Sequence, residues 1–525
     1  MRFRRRAFLG GAASLAAGAC TPPKPPAAPV VRVEDVLGAA LDAAKRAGAA
    51  YADARIVRRR DQHVGTREDH VVDVGDEESY GIGVRVLVVA PAAGGGATQS
   101  WGFAASARVD EASAAVAGER AVAIARADAG RRKRPIVLAP VARYRDRWVT
   151  PLAIDPFDVS IGEKAALLRD AWAAARAVKS VKYMDGGARA LAEEKTFAST
   201  EGSLIVQRIV RVEAGYTVTA TDDAGDAVTR AHELPPRQAG WEHVARSTLR
   251  ADARKIAEDA VEKLRAPRLA PGKRDLVLLP SNLWLVIHES IGHSTELDRA
   301  LGYEANFAGT SFATPDQLGK LEIARDTLDF VADKTTPGGL ATAGYDDDGE
   351  KTQRWKLVER GKLAAFQTTR EQAAWIGEKR SRGCSYAEDW RSVPFQRMPN
   401  VSLAPAEREV SLDDLIGGVD DGVLVSGDGS WSIDHQRYNF QFGGQTFHAI
   451  RGGKLAGALR DVAYQSNTID FWHACDAIGG ARHVELHGTM VDGKGEPEQS
   501  NPVSHGCPPA RFRGIQVLDT SGRKT

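Results

Sequence analysis

The sequence predicts an α+β protein, with a mixed α/β N-terminal domain followed by a β-rich C-terminal domain that carries a helix with a metal-binding pattern. Three observations lead there. In the first half, Ala-rich amphipathic segments are interspersed with strand-like runs. In the second, short apolar segments are separated by Gly and Asp turns, such as Gly417-Gly418, Asp420-Asp421-Gly422, Ser426-Gly427-Asp428-Gly429 and Gly443-Gly444. Where the halves meet, an apolar run holds two histidines and two glutamates, His288, Glu289, His293 and Glu296.

Residues 1–20 read as an export signal. Arg5-Arg6-Ala7-Phe8-Leu9 fits the twin-arginine pattern, and a small-residue, weakly apolar segment follows, too short to span a membrane. Ala17-Gly18-Ala19-Cys20 is a candidate lipoprotein cleavage box, so Cys20 is either a lipid anchor or lies beside a simple cleavage point. The expected location is the periplasm, free or as a membrane-anchored lipoprotein. Residues 21–31 are Pro-rich and read as an extended tether, because Pro fixes φ near polyproline II values.

The N-terminal domain is expected over 32–266. Val36, Leu37, Ala40, Leu41 and Ala44 form one helical face that Gly48 stops. Strands are expected at 54–64 and 71–74, then an alternation at Ile82, Val84, Val86 and Val88. Gly94-Gly95-Gly96 lies in a loop and is no phosphate cradle, since no Gly-Lys-Ser/Thr follows. Helices at 111–126 and 167–178 precede antiparallel strands over 196–228, with a hairpin turn at 223–226. A helix at 253–264 closes this half. The C-terminal domain, 267–525, opens with a short buried strand at 275–279. Asp346-Asp347-Asp348 lacks the spaced ligands of a calcium loop and reads as a solvated turn. The Trp and Tyr residues between Trp431 and Trp472 read as core or subunit contacts.

Composition excludes some partners. The 525 residues carry a net charge of +1, which gives no electrostatic footprint for nucleic acid or an anionic membrane surface. Apart from Cys20 there are three cysteines, Cys384, Cys475 and Cys507, too few for a disulfide framework.

The histidine spacing is informative. Histidines four apart sit about 40° apart around a regular helix, whereas His288 and His293, five apart, sit about 140° apart. They can share one ion only if the helix is irregular, with Gly292 a natural place for a π-bulge or loosened turn. Neutral imidazoles are good zinc ligands, and a Glu beside one can act as base toward water. The residues alone leave open a helix with one core and one surface histidine.

His288-Glu289-Ser290-Ile291-Gly292-His293 resembles the His-Glu-x-x-x-His signature of the TldD/PmbA metallopeptidases. Residues 345–349, Met398-Pro399-Asn400, 459–464 and the block from Asp492 to Arg513 are similar to landmarks of that family's C-terminal half, and 52–60 and 81–87 to its opening strands. The resemblance implies zinc-dependent hydrolysis of peptides or unfolded polypeptides, with His288 and His293 as ligands and Glu289 as base. It also implies a homodimer, or a heterodimer with a related subunit. Where the family has a ligating Cys before Gly-Lys, this chain has Asp492. Asp492 is the favoured third ligand and Cys507 the alternative. Glu296 suits orientation of a ligand better than ligation. His505 and either Arg511 or Arg513 are candidates for an oxyanion or a peptide carboxylate. The missing thiolate keeps a second reading open, a non-catalytic binding subunit with a vestigial site.

Overall fold

The computed structural model describes residues 32–91, 97–128 and 134–521. The export signal, Cys20, the Pro-rich tether and Gly94-Gly95-Gly96 lie outside the described residues.

The N-terminal half is built on one seven-stranded sheet. After α1 (Val33–Arg46), strands β1 (Tyr51–Arg67) and β2 (His70–Pro91) form a long antiparallel hairpin that pairs Tyr51 with Leu87 at one end and Arg67 with His70 at the other. The pieces expected at 71–74 and 82–88 are therefore one strand. Continuous pairing with β1 carries the polar stretch between them, which stays exposed while residues 82–88 are buried. β3 (Ala97–Ser106) and α2 (Glu111–Ala127) follow, then β4 (Arg145–Val149) and α3 (Ile161–Ala175), which a Ser160/Glu163 capping box starts. β5 (Val181–Ser199), β6 (Leu204–Thr221) and β7 (Ala227–Arg237) complete the sheet, beginning earlier than expected. α4 (Glu242–Ala245) and α5 (Leu249–Arg265) end this half.

Strand order is β3-β2-β1-β5-β6-β4, with β7 also on β6. α1 and α2 cover one stretch of the sheet, packing Val36, Leu37, Ala40 and Ala121 on Ile56, Val84 and Val86. Their backbones come close at Gly118, where a Cβ would lie 2.4 Å from the Ala40 carbonyl oxygen. α3 and α5 cover another stretch through Leu168, Trp172, Ile256 and Ala260.

In the C-terminal half, β8 (Gly272–Leu278) lies between the strand Ala510–Asp519 and, in parallel, Asp421–Ile433. Asp421–Ile433 also pairs with Asn439–Arg451, which pairs with Val462–Asn467, which returns to Ala510–Asp519. The pairings therefore close a circuit of five strands. Phe440, Phe442, Tyr464, Phe471, Trp472 and Phe512 fill the core beside it together with Leu283, Val286, Ile287 and Ile291. A smaller four-stranded sheet contains Phe330–Asp333 and Asn400–Leu403.

The structure corrects one local reading. Asp346, Asp347 and Asp348 are buried, not solvated. Asp348 meets Arg85 of β2 at 2.6 Å, and Asp347 meets Lys195 of β5 at 3.0 Å. Asp346 accepts backbone N–H bonds from Asp348, Glu350 and Ser385, and burial together with the Asp348 charge pushes its carboxyl up to about 8. The turn is the seam between the halves, and its partners are too distant in sequence for a local pattern to reveal.

Glu193 of β5 anchors the same seam. Its Oε1 takes Arg211 Nη1 at 2.6 Å and the Tyr386 hydroxyl at 2.9 Å. Burial opposes its charge, but Arg211 and Lys195 outweigh burial and hold the carboxyl at about 2. A folded pKa below the unfolded value stabilises above the unfolded pKa and is lost as pH falls toward the folded one. Glu193→Gln should cost about 3–5 kcal/mol in urea unfolding at neutral pH. Between about pH 5 and 2 the wild type should lose part of that advantage over the variant.

Candidate metal centre

The motif segment begins as an ordinary helix. Pro280 sits at the first turn of α6 (Pro280–Ile287), where its missing N–H costs nothing, and the helix buries Leu283, Val286 and Ile287. At His288–Gly292 it widens into a π turn, with the His293 N–H reaching back to the His288 carbonyl, and then tightens to a 3₁₀ turn at His293–Thr295. Ser290, Ser294 and Thr295 donate their hydroxyls to the carbonyls four residues back, at 2.6–2.7 Å. Such back-bonding loosens a helix. A side chain at 292 would strike Met398, since a Cβ there would be 2.6 Å from its sulfur, and Gln367 Nε2 donates to the Gly292 carbonyl at 2.6 Å.

The widened turn swings both imidazoles to one side. Their ring centroids are 4.6 Å apart, and Asp492 Oδ1 lies 3.8 Å from His288 Nε2 and 3.6 Å from His293 Nε2. These distances are too long for hydrogen bonds. They are close to the separation of about 3.3 Å between ligand atoms around a tetrahedral zinc. Each of the three side chains is buried.

Hydrogen bonding fixes the tautomers. His505 Nδ1 lies 2.8 Å from the Val401 carbonyl oxygen, which can only accept, so His505 carries its proton there and its Nε2 is an acceptor. His288 Nδ1, 2.8 Å from that Nε2, must then donate, which leaves the His288 Nε2 lone pair facing Asp492. His293 Nδ1 lies 3.1 Å from Glu296 Oε2, an ionised acceptor nearer than Arg299 Nη2 at 3.4 Å, so it donates to Glu296 and leaves its Nε2 lone pair on the same side. Burial holds both imidazoles well below their ordinary pKa, so both rings are neutral. Two neutral imidazole nitrogens and a carboxylate, converging and fixed from behind, suit a divalent cation such as zinc.

Glu296 is itself held. Lys494 lies 3.2 Å from its Oε1 and Arg299 2.7 Å from its Oε2, and these cations overcome burial to keep it ionised. Lys494 belongs to the Asp492-Gly493-Lys494 segment, so one short stretch supplies a cluster member and the cation that braces Glu296 behind His293. Arg397 grips Asp492 through its backbone carbonyl and through Oδ2 at 3.1 Å. Glu289, adjacent to His288, is buried and paired through Oε2 with Arg437. Burial pushes its carboxyl up to about 7 against the pull of Arg437.

Other candidates fall elsewhere. Cys507 is not in the cluster. Its sulfur faces the Pro280 carbonyl at 3.8 Å, and burial raises its thiol far above the ordinary range. Cys384, Cys475 and Cys507 are all free and buried. Arg511 and Arg513 are not at the site either, and this corrects the oxyanion expectation. Both pair with Asp476, and Arg513 also with Asp275, on the strands around β8. His505 is buried behind His288, with its Nε2 2.8 Å from His288 Nδ1, and orients that ring. Arg437, Arg397 and Arg299 were not singled out by the sequence. Arg299 had a signal, three residues after Glu296, whereas Arg437 reaches Glu289 across 148 positions.

If His505 sets the His288 tautomer, His505→Ala should weaken zinc binding by about 10–100-fold in competition with a chromophoric chelator. Wild-type affinity in that variant would remove His505 from the site.

Comparison with known proteins agrees with this architecture. Models of the PmbA/TldA metallopeptidase domain 1, central domain and C-terminal domain match residues 52–125, 154–266 and 271–519. A metalloprotease of Methanothermobacter thermautotrophicus is 27% identical over 474 residues, covering 90% of this chain and 96% of its own. A zinc metalloprotease TldD homolog of Saccharolobus solfataricus is 24% identical over 263 residues, 49% of this chain and 54% of its own. The crystal structure of TldE from Thermococcus kodakarensis superposes with a TM-score of 0.67 at 16% identity, covering 91% of this chain and 98% of that one, and shows a shared fold. With three consecutive domain models matched along most of its length, the chain belongs to the PmbA/TldD family of metallopeptidases.

Proposed function

We propose that this chain is a zinc-dependent peptidase in which His288, His293 and Asp492 hold the metal and Glu289 is the general base. The observation that carries the reading is the convergence of His288 Nε2, His293 Nε2 and Asp492 Oδ1 beside a buried glutamate. Zinc held there would supply a Lewis acid for the scissile carbonyl and lower the pKa of water. The chain's own residues do the rest. Glu289 takes a proton from the attacking water and delivers it to the departing amine nitrogen, a role suited to a carboxyl whose pKa lies near neutrality. His505 and Glu296 keep the two Nε2 lone pairs available. Burial of the cluster keeps competing water away and strengthens every charge interaction within it.

The substrates fitting this reading are peptides or unfolded polypeptides outside the cytoplasm, reached through twin-arginine export, with Cys20 as a lipid anchor or cleavage point. That route delivers folded chains, which suits a protein whose site assembles from both ends of its C-terminal half. Assembly as a homodimer, or with a related subunit, is part of the same proposal. One observation favours a second reading, a non-catalytic binding subunit: Asp492 stands where the family resemblance implies a thiolate. An oxygen ligand leaves the ion more electron-poor and less tightly retained.

Elemental analysis should find about one zinc per chain in the folded protein and none in His293→Ala. Glu289→Gln should keep its zinc while hydrolysis of denatured casein falls by about 100–10,000-fold. Full activity in Glu289→Gln would remove Glu289 as base. Wild type without zinc or hydrolysis, even after zinc is supplied, would favour the binding subunit.

A further inference from the structure

Arg437 has an unusual backbone. It sits in the turn between the strands Asp421–Ile433 and Asn439–Arg451, at φ +62°, in the left-handed region where glycine or asparagine is the ordinary occupant. The turn is held around it. Asp434 Oδ1 accepts from the backbone of Gln436 and Tyr438, at 3.1 and 2.8 Å, and its Oδ2 from the backbone of Asn439 at 3.0 Å. The Arg437 carbonyl takes the Thr468 hydroxyl at 2.9 Å. Strained conformations that their surroundings enforce cluster at functional sites.

That side chain is mostly buried and ends at the metal centre. Nη1 is paired with Glu289 Oε2, Nη2 is 3.3 Å from the Ala308 carbonyl, and Nε has no partner among the described residues. Arg299 claims the same Ala308 carbonyl at 2.5 Å, so the hold on Nη2 is long and shared. The guanidinium therefore keeps one firm bond, to the carboxylate beside His288, and has donor capacity in reserve. A buried N–H without an acceptor carries a standing free-energy penalty that a bound acceptor would relieve.

Resting on the peptidase reading above, we infer that Arg437 is a catalytic residue of two tasks: it positions Glu289, and its remaining N–H groups donate to the scissile carbonyl oxygen of the substrate. As a lone pair of the water oxygen bonds to the carbonyl carbon, the C=O π pair moves onto the carbonyl oxygen, and a proton of the water goes to Glu289. The fixed guanidinium stabilises the developing negative charge. When the pair returns, the C–N bond breaks and the amine leaves with the proton from Glu289. No redox partner or co-reactant beyond water is needed.

The left-handed φ supplies the test, because Arg437→Gly relieves the backbone while leaving a cavity of guanidinium shape beside a buried carboxylate. Arg437→Gly should retain zinc and a wild-type circular dichroism spectrum, with kcat on denatured casein lower by about 100-fold. Millimolar guanidinium chloride, far below denaturing levels, should restore much of that loss and raise the melting temperature of the zinc-free variant. Urea of the same shape but no charge should do neither, and wild type should respond to neither. Arg437→Lys, which keeps the charge and loses the fork, should lower kcat with KM within about twofold. It decides the question if the glycine variant does not fold. The inference is overturned by wild-type kcat in Arg437→Gly, by no guanidinium rescue in a folded, zinc-loaded variant, or by a change confined to KM in Arg437→Lys. Zinc content and wild-type hydrolysis are read in the same series, so failure of the peptidase reading shows separately.

Discussion

Two imidazoles five residues apart can serve one cation only if the backbone between them departs from the α-helix, and much of the site follows from that constraint. The departure is the π turn at His288–Gly292, buried so deeply that the backbone groups it frees must find partners inside the protein. They find Gln367 Nε2 on the Gly292 carbonyl and the hydroxyls of Ser290, Ser294 and Thr295 on earlier carbonyls. Trp472 then donates to the Ser290 hydroxyl at 2.9 Å, tying the turn to the aromatic core. The polar residues of the motif are thus of two kinds: those that face the cluster and those that sustain the shape of the turn.

Charge is arranged in the same way. The cluster holds carboxylates of different standing within a short distance. Glu296, between Lys494 and Arg299, is kept ionised and serves only to orient His293. Glu289, with one ion pair, to Arg437, and almost complete burial, is pushed up to about 7. Environment rather than residue type divides the roles, as in other sites where paired acids are pushed apart in pKa. Arg397 holds the backbone carbonyl and the carboxylate of Asp492, and the Lys494 side chain ties the same segment to the Gln396 carbonyl, so Asp492 sits in a backbone anchored at two points.

The seam between the halves shows a related economy of charge. Asp347, Asp348 and Glu193 are each buried against cations from the N-terminal sheet. Removing one partner of such a pair would leave an uncompensated buried charge, which is strongly unfavourable. Tyr386 joins this network through Glu193, and Ser385 through Asp346 and Asp348. Ser385 also pairs with Gln396, two residues before Met398, the side chain nearest Gly292.

Much of this was written in the local sequence. The helices of the N-terminal half follow from apolar periodicity and its strands only in part, since β2 reads as two pieces and β5 begins well before residue 196; the irregular motif helix follows from the five-residue spacing together with Gly292. His288, Glu289, His293 and Asp492 could be named from motif and resemblance, and orientation by Glu296 from its place one turn after His293. What the sequence could not contain is any relation fixed only by the closed strand circuit and the seam. His505 reaches His288 across 217 positions, Arg437 reaches Glu289 across 148, and the aspartates at 346–348 are buried only because Arg85 and Lys195 arrive from other strands. Cys507 was the alternative third ligand, and Arg511 or Arg513 a candidate for an oxyanion or a peptide carboxylate, yet register on the final strands turns them to the core and to Asp476. Periodicity and spacing act over a few residues and fix which groups share a face. Which distant group meets them is decided by packing, where a buried charge or lone pair is tolerated only beside its partner.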